Sequence, residues 1–376
     1  MESKNTDKKA TGIIFCEDAR SLILTRKEIL LKLLEQGIGI DVAVPQDEYC
    51  EELEKYGCRI IPIYIQRRGM NPFADFGLMM QFRKILKKKH YDFAITYSIK
   101  PNIYGGLMLR MVHVPYFINI TGMGTAMNST GLLRSFVCFL YRFSSPYATG
   151  VFFENASNRQ SFVDWHLCRM EQTHVFPGAG INIREFTPIP YPASTKETCF
   201  LFIGRLMAEK GVEELCKVAK QCEKELPDIH FDLVGPFEDS FMETFNNYKS
   251  LKNLHAHGFQ KSIRPFMEKA HAVILPSYHE GMANVLLEGG AFGRPLLTSG
   301  IPGCQEAVID HESGFLFKSH DVDSLMSVIR TFHSLSQAQR EEMGQKSREH
   351  IASHFNRDFI VEKINGLIHQ ILKRRD

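Results

Sequence analysis

Two carboxylates eight residues apart, Glu280 and Glu288, bracket a junction between two kinds of sequence. Before them His271–Leu275 is a short apolar run of the kind that forms a buried parallel strand. Pro276 ends that strand because it has no N–H for a ladder. After them Asn284–Ala291 reads as a helix, with Val285, Leu286 and Leu287 available for burial. A strand therefore delivers a loop that opens into a helix N-terminus, with Glu280-Gly281 at the opening. Free backbone N–H groups and the positive end of the helix dipole favour an anion there, such as a diphosphate. Gly281 lets a ligand approach the backbone closely. The two carboxylates can accept from hydroxyls on either side. A ligand with phosphates in its middle and hydroxyls at both ends, such as a nucleotide-sugar, matches that chemistry. The same letters also serve a plain α/β junction in which Glu280 is only a partner for the helix dipole.

A second stretch, Gly204-Arg-Leu-Met-Ala-Glu-Lys-Gly211, follows another apolar run and opens another helix. Arg205 and Lys210 lie five apart, so both can reach one phosphate group, Arg by bidentate contact and Lys as a compact charge. Read alone, they equally describe two solvated cations on an exposed loop. Read with Glu280 and Glu288, they place opposite charges at two strand-to-helix junctions that can converge on one ligand.

The elements that must position these residues alternate throughout the 376-residue chain. Strands are expected at Gly12–Phe15, Ile38–Val44, Arg59–Ile65, Asp92–Tyr97, Pro115–Ile120 and Thr149–Phe153. Helices are expected at Arg20–Gln36, Pro72–Lys88, Leu132–Phe143 and from Ser157, with a polar turn at Ser98–Asn102. A Gly- and Pro-rich linker, Phe176–Asn182, precedes a restart of the pattern. The restart reads as strands at Cys199–Ile203, Ile229–Val234, Leu254–Ala256, His271–Leu275, Pro295–Thr298 and Phe315–Phe317, with a helix at Val212–Glu223. Three helices, Asp323–Leu335, Gln337–Ser353 and Asp358–Lys373, close the chain. This is a doubly wound α/β pattern in two similar halves, in which ligands bind beyond the carboxyl ends of the strands.

Composition narrows the classes. At about 150 residues per domain the length suggests two or three domains. Nine scattered cysteines, never spaced C-x-x-C, argue against a disulfide framework or a zinc site and for a reducing cytoplasm. Met1–Ala10 is polar and mixed in charge, unlike a signal peptide, and no run of about 18 apolar residues exists to span a membrane. The net charge of +2 hides an asymmetry: residues 51–150 hold thirteen Lys and Arg against five Asp and Glu. Such a basic band implies an anionic partner. No interleaved aromatic motif supports nucleic acid as that partner.

With these residues in place, the chain resembles the retaining glycosyltransferases of family 4, which have the two-domain GT-B fold. The family's E-x7-E motif appears as Glu280…Glu288 and its Gly-Arg…Glu-Lys-Gly motif as Gly204–Gly211. Val234-Gly235-Pro236, His257-Gly258 and Leu275-Pro276-Ser277 fall where such enzymes carry similar residues. In the first half, Val44–Tyr49, Ile99–Gly105 and Ile120–Gly124 resemble bacterial enzymes that extend polyprenyl-diphosphate-linked sugars with galactose or N-acetylhexosamines. The chain departs from the pattern after its first strand, where Cys16-Glu-Asp-Ala-Arg20 is acidic and glycine-free, and it lacks an obvious His near Lys100.

The resemblance implies two Rossmann-like domains facing each other across a cleft. Residues 1–182 would bind the acceptor and 183–355 the nucleotide-sugar, with 356–376 a helix packing back on the first domain. It implies that Gly204, Arg205 and Lys210 hold the donor diphosphate and that Glu280 accepts from the transferred sugar and Glu288 from the ribose. Backbone N–H groups across Gly281, Met282, Ala283 and Asn284 would complete the anion site. Lys100, Asn102, Gly122 and Gly124 are the acceptor-side candidates. The implied reaction moves a hexose or N-acetylhexosamine from a UDP-sugar to a lipid-linked sugar, with retention, without cofactor or metal, on the cytoplasmic face of a membrane. A nucleotide-sugar epimerase of the same fold and a non-catalytic sugar-nucleotide-binding protein are the competing readings. Asp321-Val-Asp323 has the letters of a metal-binding Asp-x-Asp, but it directly precedes a helix, where Asp is a good N-cap. His350 and His354 have the spacing of a helical metal pair without a third ligand in view.

Overall fold

The apolar runs become parallel strands in a computed structural model of the chain, which describes residues 10–66, 69, 71–124, 127, 131–193 and 197–374. The chain divides into two units, residues 1–179 with 357–376 and residues 180–356.

In the first unit the strands are β1 (Thr11–Phe15), β2 (Gly39–Val44), β3 (Arg59–Pro62), β4 (Phe93–Tyr97), β5 (Tyr116–Ile120), β6 (Gly150–Phe153) and β7 (Thr173–Val175). They lie in the order β3-β2-β1-β4-β5-β6-β7, and every pairing is parallel. Parallel neighbours need crossover connections, and helices supply them. They are α1 (Ala19–Glu35), α2 (Cys50–Lys55), α3 (Pro72–Lys88), α4 (Gly106–Met111), α5 (Leu132–Ser144) and α6 (Ala156–Asp164). Local chemistry fixes where they begin. Asp18 accepts from the Ser21 N–H at 2.6 Å to cap α1. Asn71 accepts from Phe73 N–H ahead of α3, whose first residue, Pro72, has no N–H to satisfy.

The second unit repeats the plan. Its strands are β8 (Thr198–Ile203), β9 (Ile229–Val234), β10 (Leu254–Ala256), β11 (Ala272–Leu275), β12 (Leu296–Ser299) and β13 (Gly314–Phe317). Between and after them come α7 (Val212–Glu225), α8 (Asp239–Asn246), α9 (Arg264–Lys269), α10 (Asn284–Ala291), α11 (Val322–Ser334) and α12 (Gln337–His354). The strand order β10-β9-β8-β11-β12-β13 is again all parallel. In each sheet the winding reverses where the first and fourth strands lie side by side, β1 beside β4 and β8 beside β11. Crevices for ligands open at the carboxyl ends of such strand pairs.

The last helix, α13 (Arg357–Lys373), belongs to the first unit. Ile360, Val361, Ile364, Ile368 and Ile371 join the core formed by Leu22, Ile29, Leu30 and Leu33 of α1. Arg357 Nη1 donates to both carboxylate oxygens of Glu28, at 2.9 and 2.8 Å.

Three local differences from the sequence reading have physical causes. The third strand stops at Pro62 rather than Ile65, because the Tyr64 N–H and carbonyl are taken by the Gln81 amide at 2.8 and 3.2 Å. The polar turn expected at Ser98–Asn102 is a helix start: a π-turn over Pro101–Gly105 runs on into α4. The short elements α2, α8, α9 and β7 lack the length that makes a periodic signal. All nine cysteines are free thiols. Arg67 and Arg68, two cations of the basic band over residues 51–150, lie outside the described residues.

Candidate functional site

The two motifs meet because β8 and β11 are neighbours, so the loops leaving their carboxyl ends run side by side. The first loop is held to β9 by Gly204 N–H to Val234 O and Leu206 N–H to Pro236 O, at 3.0 and 2.9 Å. It then tightens into a 3-10 turn over Ala208–Lys210 and reverses at Gly211, whose φ of 67° is left-handed. A Cβ at Gly211 would collide with the carbonyl oxygen of Pro276, so only glycine lets the two loops touch. The second loop answers with the Tyr278 N–H donating to Glu209 O at 2.9 Å. A third loop closes the group: Ala283 N–H donates to Gly303 O at 2.8 Å, and a Cβ at Gly303 would lie 2.5 Å from Gly281 O.

On this backbone frame Lys210 Nζ donates to Glu280 Oε1. Ser277, fully buried, donates through Oγ to the same oxygen at 2.7 Å. The Lys210 and Glu280 side chains are 24% and 12% exposed, so the pair is sheltered yet open to a ligand. Behind it lies Cys304, fully buried. Burial and then the nearby Glu280 charge push that thiol well above its usual range, against the opposing pull of Lys210, so it stays un-ionised. Tyr278 flanks the pair, its OH donating to Glu214 Oε2 at 2.6 Å and its ring stacked on His320.

Other expected donor residues are placed differently. Arg205 is exposed and forms no ion pair among the described residues, so the structure does not bring it onto the Lys210–Glu280 pair. Gly281, Met282 and Ala283 are buried, and the Ala283 amide is already engaged by Gly303. Asn284 stands exposed at the first position of α10, with no side-chain cap before it. Glu288 is half-buried one turn further along the same face of α10, while Leu286 and Leu287 bury the other.

In the first unit, Lys100 is 8% exposed and its Nζ contacts Asp75 Oδ1 at 2.7 Å. The Tyr104 OH donates to the other Asp75 oxygen at 3.0 Å. Asn102 is 1% exposed and stitches β4 to β5, accepting from Thr96 Oγ1 at 2.6 Å and donating to Asn119 O at 2.8 Å. Gly122 and Gly124 both have positive φ, 149° and 65°. Sequence reasoning passed over a charged group at the ends of these strands: Arg26 Nη2 meets Glu154 Oε1 at 3.1 Å, with Arg26 over the Tyr97 ring at 5.4 Å. Its one signal was the position of Glu154 directly after β6. Asp321 accepts from the Ser324 N–H at 2.8 Å as the cap of α11. Among the described residues no group of three or more His, Cys, Asp or Glu gathers to hold a metal, and no helix is long and apolar enough to cross a membrane.

A family model described as glycosyl transferases group 1 matches residues 184–350, and one described as glycosyl transferase 4-like matches residues 13–155. The N,N'-diacetylbacillosaminyl-diphospho-undecaprenol alpha-1,3-N-acetylgalactosaminyltransferase of Campylobacter jejuni is 27% identical over 321 residues, 81% of this chain and 84% of that protein. The capsular polysaccharide biosynthesis glycosyltransferase CapM of Staphylococcus aureus is 19% identical over 340 residues, 87% of this chain and 89% of its own. Among solved structures, Anabaena HepE in complex with UDP and glucose has a TM-score of 0.78 at 16% identity, covering 96% of this chain and 99% of that one. The matched models cover β1–β6 of the first unit and all of the second unit's sheet, and two parallel, helix-flanked sheets are the architecture of the similar solved structures. The chain belongs to the GT-B glycosyltransferases, group 1 in its second unit and family 4-like in its first.

Proposed function

We propose that the protein is a retaining hexosyltransferase that moves a hexose or N-acetylhexosamine from a UDP-sugar to a polyprenyl-diphosphate-linked sugar in bacterial surface-glycan assembly. The observation that carries the reading is the convergence of Lys210, Glu280 and Ser277 where β8 and β11 end. The Campylobacter relative's name specifies an undecaprenol-diphosphate-linked acceptor and N-acetylgalactosaminyl transfer, which supports this donor and acceptor class.

The mechanism follows from the charges. The bond from the sugar's anomeric carbon to the diphosphate oxygen breaks, leaving an oxocarbenium-like sugar and a dispersed negative charge. Lys210 and Arg205 stabilise the charge that develops on the diphosphate, with the amides at the start of α10. Glu280 accepts from the transferred sugar's hydroxyls and Glu288 from the ribose. The acceptor hydroxyl attacks from the face the diphosphate is leaving, and a phosphate oxygen takes its proton. No metal or cofactor takes part, because side-chain cations perform the neutralising role.

The first unit takes up the lipid-linked acceptor and rests on the cytoplasmic face of an anionic membrane. Supporting this, α5 exposes Leu132, Phe136, Phe139 and Phe143. The outer face of α3 is apolar at its start, with Phe73, Phe76 and Met80, and basic at its end, with Arg83, Lys84, Lys87 and Lys88. Screening nucleotide-sugars for nucleoside diphosphate release with a short polyprenyl-diphosphate-sugar acceptor tests the whole reading. Release confined to the acceptor-containing reaction is expected. Donor epimerised without transfer would move the protein to a different activity.

A further inference from the structure

On the first unit, the C-terminal half of α3 and the edge strand β3 enclose a groove of about 500 Å³. Arg59, Lys84, Lys88 and Lys89 line it, together with the half-buried Ile61 and the exposed Pro62. Two of the four cations are already tied down. Arg59 Nε and Lys89 Nζ both reach Asp41, which is 3% exposed, at 3.1 Å, and the Tyr91 OH joins them at 2.6 Å. Burial opposes ionisation of Asp41, but the hydrogen bonds from Arg59, Tyr91 and Lys89 outweigh it and hold the carboxyl below its usual range. Asp41 therefore neutralises one positive charge of the four.

Lys84 and Lys88 remain, one helical turn apart, with no ion pair among the described residues. Like charges at that spacing on a helix repel. The helix dipole explains cations near the end of α3. It does not explain why they rim an apolar hollow. Nor does the edge strand invite another strand, since Pro62 has no N–H and Gln81 covers the backbone of Tyr64. The surroundings match one kind of molecule, with an anionic phosphate at one end and hydrocarbon at the other.

We infer that this groove holds the phosphate head of one anionic phospholipid between Lys84 and Lys88, with the first part of its acyl chain over Ile61 and Pro62. The inference deepens the reading that the first unit works at a lipid surface, and it rests on that reading. A free phosphate ion shares the head-group chemistry but leaves Ile61 and Pro62 uncovered.

Isothermal titration calorimetry with dihexanoylphosphatidylglycerol, held below its critical micelle concentration, separates the two. One molecule should bind per chain, with dihexanoylphosphatidylcholine and inorganic phosphate each at least tenfold weaker. The double variant Lys84→Gln/Lys88→Gln should weaken binding at least tenfold with unchanged thermal melting. Arg83→Gln/Lys87→Gln, which removes the same charge outside the groove, should leave it intact. Equal binding of the two lipids, phosphate binding as tightly as the anionic lipid, or equal effects of the two double variants each overturn the site. Co-sedimentation with phosphatidylglycerol vesicles, run in parallel, keeps the two readings apart. Vesicle binding without monomeric lipid binding overturns the groove alone, whereas loss of both removes the lipid-surface reading as well.

Discussion

The ammonium of Lys210 and the carboxylate of Glu280, seventy residues apart in sequence, share a hydrogen bond across two neighbouring loops. On our reading a donor diphosphate competes for Lys210 and releases Glu280 Oε1 toward the sugar. Lys210→Ala should then lower kcat/KM by at least tenfold to a hundredfold, since a hydrogen bond to a charged group contributes about 1.5–3 kcal/mol before transition-state effects. Arg205→Ala should do the same without altering thermal melting, because Arg205 is exposed and forms no ion pair among the described residues. Near-normal turnover in either variant would remove that residue from the donor site.

Turnover should be unchanged in EDTA, and the new linkage should be α. Both follow from assigning charge neutralisation to Arg205 and Lys210 and from attack on the face that the leaving group vacates. Activity abolished by EDTA and restored by Mg²⁺ or Mn²⁺ counts against the first. A β product by NMR counts against the second.

Ending the chain at Asn356 should unfold the first unit. The five buried aliphatic side chains of α13 contribute at least about 1.5 kcal/mol each. Their sum is comparable to the whole stability of a typical domain, about 5–15 kcal/mol. Circular dichroism and solubility of the truncated chain check this. A soluble chain that melts like the full-length protein contradicts it.

The second unit should weaken in mild acid. Burial, and then the nearby Arg340 and Arg294, push His271 down to about 4, against about 6.5 when unfolded. A depressed value favours the folded state above pH 6.5, and that contribution is lost as pH falls toward 4. Between pH 7 and pH 5 the loss is about 2 kcal/mol. His271→Asn removes the titration, so its denaturation midpoint should fall less over that interval. Parallel pH dependence in the two proteins would refute the assignment.

Binding to vesicles should require anionic lipid, weaken with salt and fall when Lys84, Lys87 and Lys88 become Gln. About 1 kcal/mol per cation predicts roughly a hundredfold loss for the three. Lys89 is left alone because it holds Asp41. Phe136→Ser/Phe139→Ser should reduce binding independently of salt. Equal binding to neutral vesicles would argue against an electrostatic contribution.

Much of the fold was written in local signals. Pro72–Lys88 and Asn284–Ala291 have their expected ends because Asn71 and Pro72, or Pro276 and the loop after it, mark them in sequence. The meeting of the two motifs was also legible, since adjacent parallel strands bring their exit loops together. Arg26 and Glu154 were not, being 128 residues apart with nothing local to join them. Asn102 shows the reverse limit. The resemblance made it an acceptor-side candidate, and what sequence did not show is that its amide also fastens β4 to β5. Polar residues at strand ends serve either role, and only their neighbours decide which.

The loops after β8, β11 and β12 touch backbone to backbone at Gly211 and Gly303. Any attempt to exchange donor preference by grafting inherits that seam. Transplanting the 204–211 loop alone from a relative would set a foreign curve against the Pro276 carbonyl, and grafting 276–283 alone would meet the same mismatch from the other side. Chimeras that carry all three loops together should fold, while single-loop grafts should not. If these loops hold the donor as proposed, its specificity is inherited as a block rather than as a set of independent letters.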